Sequence, residues 1–163
     1  MFREMRRGRQ ALSASACSAI LRRGTSGVLA LLGDDGYPYA VPMSYVYDGT
    51  QIYFHSAVTG HKIDALRRCE KASFCVIDQD RVVPLKYTTR YKSVIVFGRL
   101  EIVTDDAEKC AAIEALARRY APEDSAENRT QAVGDFWNAL CMLRLRIDHM
   151  TGKQSRELTQ ENS

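Results

Sequence analysis

The chain has 163 residues, of which 45% are hydrophobic and 26% are charged. This length and composition predict one folded domain with a single core, and they exclude wholesale disorder, a collagen repeat and a disulfide-stabilised miniprotein. No apolar run approaches the roughly 20 residues that cross a bilayer, and the first ten residues lack the apolar stretch of a secretory signal. We therefore expect a cytoplasmic protein with no membrane partner.

The net charge of +3 lies at the amino terminus. Four arginines against one glutamate give +3 within residues 1–9, which leaves 19 basic and 19 acidic residues elsewhere. Nucleic-acid binders normally carry a basic stripe across the folded face. We therefore expect residues 1–12 to form a solvated basic arm and expect no nucleic-acid partner. Binding of nucleic acid by this arm stays open as an alternative, which would show as affinity that falls steeply with salt.

Cysteine and histidine spacing gives no metal signature. The five cysteines are scattered without a CxxC pair, and His55, His61 and His149 are far apart with no HExxH. Zinc sites in proteins show such closely spaced ligands. We therefore predict reduced thiols and no metal site.

The first elements follow from cap and turn signals. Ser13 or Ser15 can cap a short helix that ends at Gly24. Residues 26–57 then alternate apolar runs with glycine-containing turns, which predicts a meander of three strands. Two prolines remove ladder donors from the second strand, so we expect an edge or kinked strand there.

After Gly60 the spacing of apolar residues becomes helical and then alternates between strand and helix. Gly98 is expected to mark a bulge in the longest strand. The predicted elements are an amphipathic helix over 61–68, a strand over 71–78, a polar loop over 81–89, a strand over 91–103, helices over 105–122 and 125–140, and a strand over 141–150. This order predicts an α+β, mainly β, antiparallel domain of six strands with flanking helices, and the strand-rich middle favours a barrel.

Several reaction classes lack their motifs. GxGxxG, GxxxxGK[ST] and GxSxG are all absent from the chain, so a Rossmann nucleotide site, a P-loop and a nucleophile elbow are unsupported. Two polar clusters remain as candidates for chemistry, at residues 53–62 and 88–92.

The first cluster spans residues 53–62. A strand ends near His55, a hydroxyl follows at Ser56, and a helix that begins near His61 places Lys62 in its first turn. Free helix amides, a hydroxyl and a cation together favour an anion. The alternative is structural: Ser56 would be a turn residue and Lys62 a solvated charge.

The second cluster is Thr88, Thr89, Arg90 and Lys92, at the entrance to the longest strand. Hydroxyls and an arginine there can bind phosphate or the acidic edge of a ring. They can equally form a polar strand end.

The order of five segments carries a resemblance to a known family. These are GVLALLGDDGYPYAVPMSYVYDG, IYFHSAVTGHKIDALRR, ASFCVI, TTRYKSVIVFGRLE and IDHMTGK. Their succession over residues 2–153 resembles the pyridoxamine 5′-phosphate oxidase-like flavin-binding split barrels, and within them it is most similar to the nitroimidazole-resistance (Nim) family. The most specific pieces are the Tyr-Phe-His of 53–55, the RYKSVIVFG of 90–98 and the closing ID and TGK of 147–153.

The polar residues after Gly152 predict a flexible tail over 153–163. The resemblance implies a six-stranded antiparallel split β-barrel over residues 13–152. It also implies a homodimer that binds flavin mononucleotide (FMN) at the subunit interface, since a packed small barrel has no room for a flavin. By position, the implied cofactor-binding residues are Val41, Pro42, Met43 and Ser44 along the isoalloxazine ring, Phe54, His55 and Ser56 along the ring and ribityl chain, His61 and Lys62 at the phosphate, and Thr88, Thr89, Arg90 and Ser93 from the same or the partner subunit. In these families an arginine often precedes the lysine, so His61 implies a phosphate affinity that depends more on pH.

The implied function is an FMN-dependent oxidoreductase that passes electrons from a nicotinamide nucleotide to a small oxidant such as a nitroimidazole. His55 is the implied catalytic residue, beside the flavin and the nitro compound; the alternative is a core histidine satisfied by backbone bonds. Two other functions stay open. One is a flavin- or haem-binding protein without turnover, acting as a sensor or cofactor store, and the other is a pyridoxamine 5′-phosphate oxidase-like enzyme, for which no second phosphate site is evident.

Overall fold

Seven antiparallel strands form one sheet in the computed structural model, which describes residues 1–161. The strands are β1 (Ser26–Leu32), β2 (Pro38–Ser44), β3 (Val46–Tyr47), β4 (Gln51–Ala57), β5 (Lys71–Val83), β6 (Thr88–Ile102) and β7 (Leu140–Gln154). The helices are α1 (Ala14–Arg23), α2 (His61–Arg68), α3 (Asp106–Tyr120), α4 (Ala126–Phe136) and α5 (Arg156–Glu161). Short 3₁₀ turns cover Gly8–Gln10, Asp34–Gly36 and Pro84–Lys86.

The sheet curls into a barrel because its two edges are consecutive in the chain. The strand order is β2-β1-β5-β6-β7-β4-β3, so β2 and β3 lie at opposite ends of the sheet. Only Tyr45 separates them in sequence. Two edges that share one connecting residue must come together in space, and β2 accordingly contacts β4. The α+β, mainly β class and the antiparallel barrel predicted from sequence are confirmed.

Tyr45 explains why there are seven strands instead of six. The segment predicted as one second strand breaks at this residue, whose side chain is fully buried and donates a hydrogen bond to the Leu21 carbonyl at 2.8 Å. Its backbone leaves the ladder: the Tyr120 hydroxyl accepts from the Tyr45 amide at 3.0 Å and lies 2.8 Å from its carbonyl. A side chain on α3 thus replaces the backbone partners that a continuous strand would have had.

The barrel interior is filled by large apolar side chains. Phe54 and Tyr45 both pack edge-to-face against Phe74, with ring centroids 5.0 Å apart in each pair. A second, smaller cluster lies outside the barrel, where α3 covers Tyr53 and Met142. The side chain of α3 residue Leu116 completes this layer.

Several local expectations are confirmed. The Ser13 hydroxyl caps α1 by accepting from the Ala16 amide at 3.2 Å, and the helix ends at Gly24. The proline-containing β2 is an edge strand. Gly98 lies at a shift in register between β6 and β7, where an added Cβ would come within 2.0 Å of the Arg146 carbonyl.

The polar loop expected over 81–89 was wrong. β5 continues to Val83 and β6 begins at Thr88, so the two strands form a long hairpin. Residues 79–92, which we call the hairpin arm, extend beyond the β1–β5 pairing at its base. Asp78 lies at the bulge below the arm and accepts two 2.6 Å bonds from the Arg23 guanidinium.

Both ends of the chain pack more closely than predicted. Leu12 donates from its amide to the Gly152 carbonyl at 2.9 Å, and Phe2 stacks on His149 with centroids 4.6 Å apart. The flexible tail expected from residue 153 instead continues β7 to Gln154 and forms α5, in which Leu158 is buried. Residues 162 and 163 of that predicted tail lie outside the described part of the chain.

None of the helices within residues 1–161 has the length and apolar character needed to cross a membrane.

Candidate functional site

Lys62 and Ser56 form the centre of a polar site at the rim of the barrel. Ser56 lies near the end of β4, and Lys62 is the second residue of α2; their Oγ and Nζ atoms are 3.2 Å apart. The Lys62 ammonium is partly buried, and this desolvation lowers its pKa. Among the side chains that the structure describes, no carboxylate lies within 4 Å of Nζ, so the lysine is a desolvated cation without a counter-ion in that part of the chain. Such a group favours a bound anion.

The start of α2 adds to this preference for negative charge. Gly60 precedes the helix at φ 121°, a conformation that glycine adopts readily, and it has no side chain with which to cap the first amides. The amides of Ile63 and Asp64 donate to the Gly60 carbonyl. Because no side chain caps this end of the helix, the positive end of the helix dipole adds to the Lys62 charge.

His55 lies on the same strand, one residue before Ser56, and its side chain points away from the core. It is exposed, whereas Phe54 before it is fully buried. The alternative of a core histidine is therefore wrong. Among the described residues the His55 imidazole makes no side-chain hydrogen bond, which leaves both ring nitrogens accessible.

Phe54 is placed differently from the resemblance-based expectation. Its ring lies inside the barrel against Phe74, so only its backbone can face a ligand outside. Strand alternation dictates this result, because neighbouring residues on β4 point to opposite faces.

His61 is partly engaged within its own chain. Its ring stacks on Tyr39 at 4.0 Å, and Nε2 lies 3.4 Å from Asp34 Oδ2. Arg68 lies about two helical turns after His61 and contacts the same carboxylate at 2.6 Å. Asp34 thus ties α2 to the β1–β2 turn. Of these, Tyr39, Asp34 and Arg68 were not among the predicted site residues; the i, i+7 spacing of His61 and Arg68 on one helical face was the available signal.

The β2 residues reach this rim from the other side. Val41 and Met43 pack against the core, while Pro42 and Ser44 are exposed. Because Tyr39 on β2 stacks on His61, this strand and the start of α2 border one surface. The structure therefore brings the β4 and α2 predictions together at Ser56 and Lys62, and it places the Tyr39 end of β2 beside the start of α2.

The remaining predictions form a separate group. Thr88, Thr89 and Arg90 lie on the hairpin arm, and Ser93 pairs with Ile77 at its base. Thr88 Oγ1 lies 3.4 Å from Glu157 of α5. No hydrogen bond or ring contact between described residues links this group to Lys62 or His55. Ser93 pairs with Lys153 on β7, whereas His55 pairs with Met142 on the same strand, so the two groups lie towards opposite ends of β7.

No group of three or more His, Cys, Asp or Glu side chains within the described residues lies close enough to hold a metal ion.

The fold and the rim site together define an antiparallel barrel that carries a partly buried lysine, Lys62, at the junction of β4 and α2. The family described as pyridoxamine 5′-phosphate oxidase matches residues 13–154, and the chain belongs to this family.

Known proteins resemble the chain in sequence and in fold. An uncharacterized protein of Rhizobium meliloti (strain 1021) is 31% identical over 90 residues, which are 55% of this chain and 54% of that protein. The chain thus matches about half the length of this curated relative.

Three solved structures share the fold. A conserved hypothetical protein from Mycobacterium tuberculosis has a TM-score of 0.81 at 23% identity, covering 95% of this chain and 92% of its own. A protein from Bacteroides thetaiotaomicron assigned to 5-nitroimidazole antibiotic resistance has a TM-score of 0.75 at 22% identity, covering 88% and 86%. A FAD-binding protein from Mesorhizobium loti has a TM-score of 0.65 at 26% identity, covering 89% and 96%.

Proposed function

We propose that this protein binds FMN and uses it to pass electrons from a nicotinamide nucleotide to a small oxidant such as a nitroimidazole. The observation that carries the proposal is the partly buried Lys62 ammonium, which contacts Ser56 and no carboxylate among the described residues. The FAD-binding and nitroimidazole-resistance proteins of the same fold support the choice of a flavin and of a nitro compound.

The rim residues fit the phosphate end of a flavin nucleotide. Lys62 and Ser56 would hold the phosphate by hydrogen bonds, with the uncapped start of α2 behind them. His61 would contribute when protonated, although Asp34 already lies 3.4 Å from it. Pro42 and Ser44 are exposed at the neighbouring edge, where a flat ring would lie along β2.

The proposal includes a homodimer, because one chain leaves its two groups of predicted residues apart. The outer side of the barrel offers a surface for a second copy. Two adjacent rows of cross-strand neighbours, each with one residue from β2, β1, β5 and β6, contain no charged residue. We call this surface the outer apolar face; its rows are Pro42, Val28, Cys75 and Ile95, then Ala40, Ala30, Ser73 and Phe97.

Exposed apolar side chains on that surface favour association. Val28, Ile95 and Phe97 are each more than a third exposed although they lie on central strands. Contiguous apolar patches of this kind mark interfaces. Thr88, Thr89, Arg90 and Ser93 would then approach the flavin that the partner copy holds by its own Lys62.

The chain's own residues would have defined tasks. A bound flavin supplies hydride and electron transfer. Lys62 and Ser56 bind its phosphate, the apolar face of the second copy excludes water, and His55 gives a proton to the reduced oxidant. His55 can do so because its imidazole is exposed and is not committed to a hydrogen bond within the described chain.

The absorbance spectrum of the purified protein tests the cofactor. We expect a yellow protein that releases FMN on heating, identified by mass spectrometry, and that oxidises NADH or NADPH when a nitro compound or quinone is added. Flavin without turnover would indicate a store or sensor, a haem spectrum would indicate the haem-binding alternative, and a colourless protein that takes up neither would overturn the proposal.

A further inference from the structure

The tip of the hairpin arm exposes apolar side chains that its own chain does not cover. Leu85 and Tyr87 are 95% and 98% exposed, and Val82 is 64% exposed. Isolated two-stranded ribbons are marginally stable in water. An arm that projects with a bare apolar tip is therefore expected to gain its contacts from another molecule.

A second exposed apolar corner lies at the end of α4. No residue of this helix is buried, and Phe136 is 66% exposed. The next residue, Trp137, is fixed in place: Lys109 donates to its carbonyl at 2.9 Å and lies 4.1 Å from its ring centroid. The corner is thus a rigid aromatic surface preceded by the exposed carboxylate of Asp135.

The two surfaces have opposite charge. The hairpin arm contains four basic residues and one acidic residue, Asp80. Residues 105–136, which hold α3 and α4, contain eight acidic and four basic residues. At closer range, Lys86 lies between Leu85 and Tyr87, and Asp135 precedes Phe136. The basic apolar tip and the aromatic corner of the acidic α3–α4 region are complementary in both respects, with Lys109 as the one cation among the described residues that contacts the corner itself.

The tip of the arm and the corner at the end of α4 are each close in the structure to one of the two groups of residues that are proposed to bind the flavin. On the arm, Thr88 follows Tyr87 directly. At the corner, Leu140 comes three residues after Trp137 and pairs with Ala57, which is next to Ser56 on β4. A flavin held between Lys62 of one chain and Thr88 of the other would therefore bring this tip and this corner together.

We propose that the Leu85-Lys86-Tyr87 tip of one copy docks on the Asp135-Phe136-Trp137 corner of a second copy and forms one wall of that copy's flavin site. The inference rests on the proposed function for the identity of the bound group, whereas the contact itself does not require a flavin. Tyr87, Leu85 and Phe136 would shield the ring edge from water and limit the width of the oxidant that enters.

Cross-linking between two differently tagged variants tests the contact directly. In a Cys110→Ser background, which removes the exposed native thiol, Leu85→Cys protein is mixed with Phe136→Cys protein under mild oxidation. We expect a covalent dimer that contains both tags in the mixture, and little in either variant alone. Absence of the mixed dimer, in protein that still dimerises by sedimentation, would overturn the proposal whether or not flavin is bound.

Charge exchange tests the energetic contribution of the same contact. Lys86→Glu and Asp135→Lys are each expected to raise the dimer dissociation constant about three- to tenfold, and the double variant is expected to recover it. Glu123→Lys is the matched control, an exposed acidic residue before the start of α4. Equal effects of Asp135→Lys and the control, with no recovery in the double variant, would contradict the proposal.

Discussion

His55 differs from the other two histidines of the chain in what surrounds its ring. His61 stacks on Tyr39 and His149 stacks on Phe2, whereas His55 is exposed at the rim with no such partner. Packing within the described chain does not hold the His55 ring, because the ring is exposed and has no stacking or hydrogen-bond partner there. The environment therefore favours a chemical task for His55 over a structural one.

For His55→Ala we expect loss of turnover with retention of flavin. A positioned general acid contributes roughly 10²–10⁴-fold to rate, so the oxidative half-reaction with a nitro compound should slow by that factor. Reduction of the flavin by the nicotinamide nucleotide should be unchanged. Stopped-flow measurement of each half-reaction, normalised to flavin content, provides the check. An oxidative half-reaction at full speed would exclude a catalytic role.

For Lys62→Met we expect roughly tenfold weaker flavin binding, because a charge-assisted bond to phosphate is lost. Arg67→Met is the control, since Arg67 lies on the same helix but is exposed and pairs with Asp64. Isothermal titration of the flavin-free proteins gives the dissociation constants. Equal values for the two variants would place Lys62 on the solvated face.

The pH dependence of binding follows from the same residue. Burial lowers the pKa of Lys62, so it loses its proton at a lower pH than an exposed lysine does. Only the protonated form attracts phosphate. The flavin dissociation constant of the wild-type protein should therefore rise with pH in the alkaline range, and that rise should be absent in Lys62→Met.

At the scale of elements, the hydroxyl of Tyr120 holds the joint between β2 and β3. It bonds the amide and carbonyl of Tyr45 and also contacts the Thr25 carbonyl. We expect Tyr120→Phe to lower the free energy of unfolding by about 1–3 kcal/mol, because these backbone groups lose their partner. Tyr37→Phe is the control, as Tyr37 is 74% exposed. Urea denaturation compares the two, and equal midpoints would show that water replaces the hydroxyl.

Sequence patterns predicted the elements whose signals are local. The Ser13 cap, the α2 helix and the bulge at Gly98 all depend on a few neighbouring residues. The break at Tyr45 depends on a hydroxyl 75 residues away on α3. The arm depends on pairing between β5 and β6 that overrides the polar residues there, with Pro84 in the turn between the strands. Hydrogen bonds between residues that are far apart in sequence do not change the local periodicity of apolar residues, so the sequence pattern does not predict them.

The candidate site likewise combines residues that the local sequence groups together with residues that only long-range contacts bring there. Ser56, His61 and Lys62 are close in sequence, so the strand-to-helix pattern was enough to group them. Asp34 joins them only because the barrel closes and brings the β1–β2 turn to α2. That contact could not be read from spacing.

At the scale of the whole molecule, the outer apolar face is the surface that would hold two copies together. We expect Ile95→Asp to convert the dimer to a monomer, because a charge would be buried in an apolar interface. The side chain points outward and is 39% exposed, so the monomer should stay folded. Ile102→Asp is a matched control on the same strand, at 38% exposure. Sedimentation velocity gives the assembly state; a monomeric wild-type protein, or a dimer unaffected by Ile95→Asp, would contradict this placement.

The pairing of β4 with β7 affects how the protein folds during its synthesis. The local partner β3 pairs only with Ile52 and Tyr53, and the full length of β4 pairs only with residues 140–146, so β4 leaves the ribosome long before its main partner β7 exists. Contacts this distant form slowly, and unpaired apolar strands invite aggregation in the meantime. During synthesis the β5–β6 hairpin can form early from neighbouring residues, but the barrel stays open along one seam until β7 emerges. Production of the protein in cells should therefore depend on chaperone capacity more strongly than its folded stability would suggest.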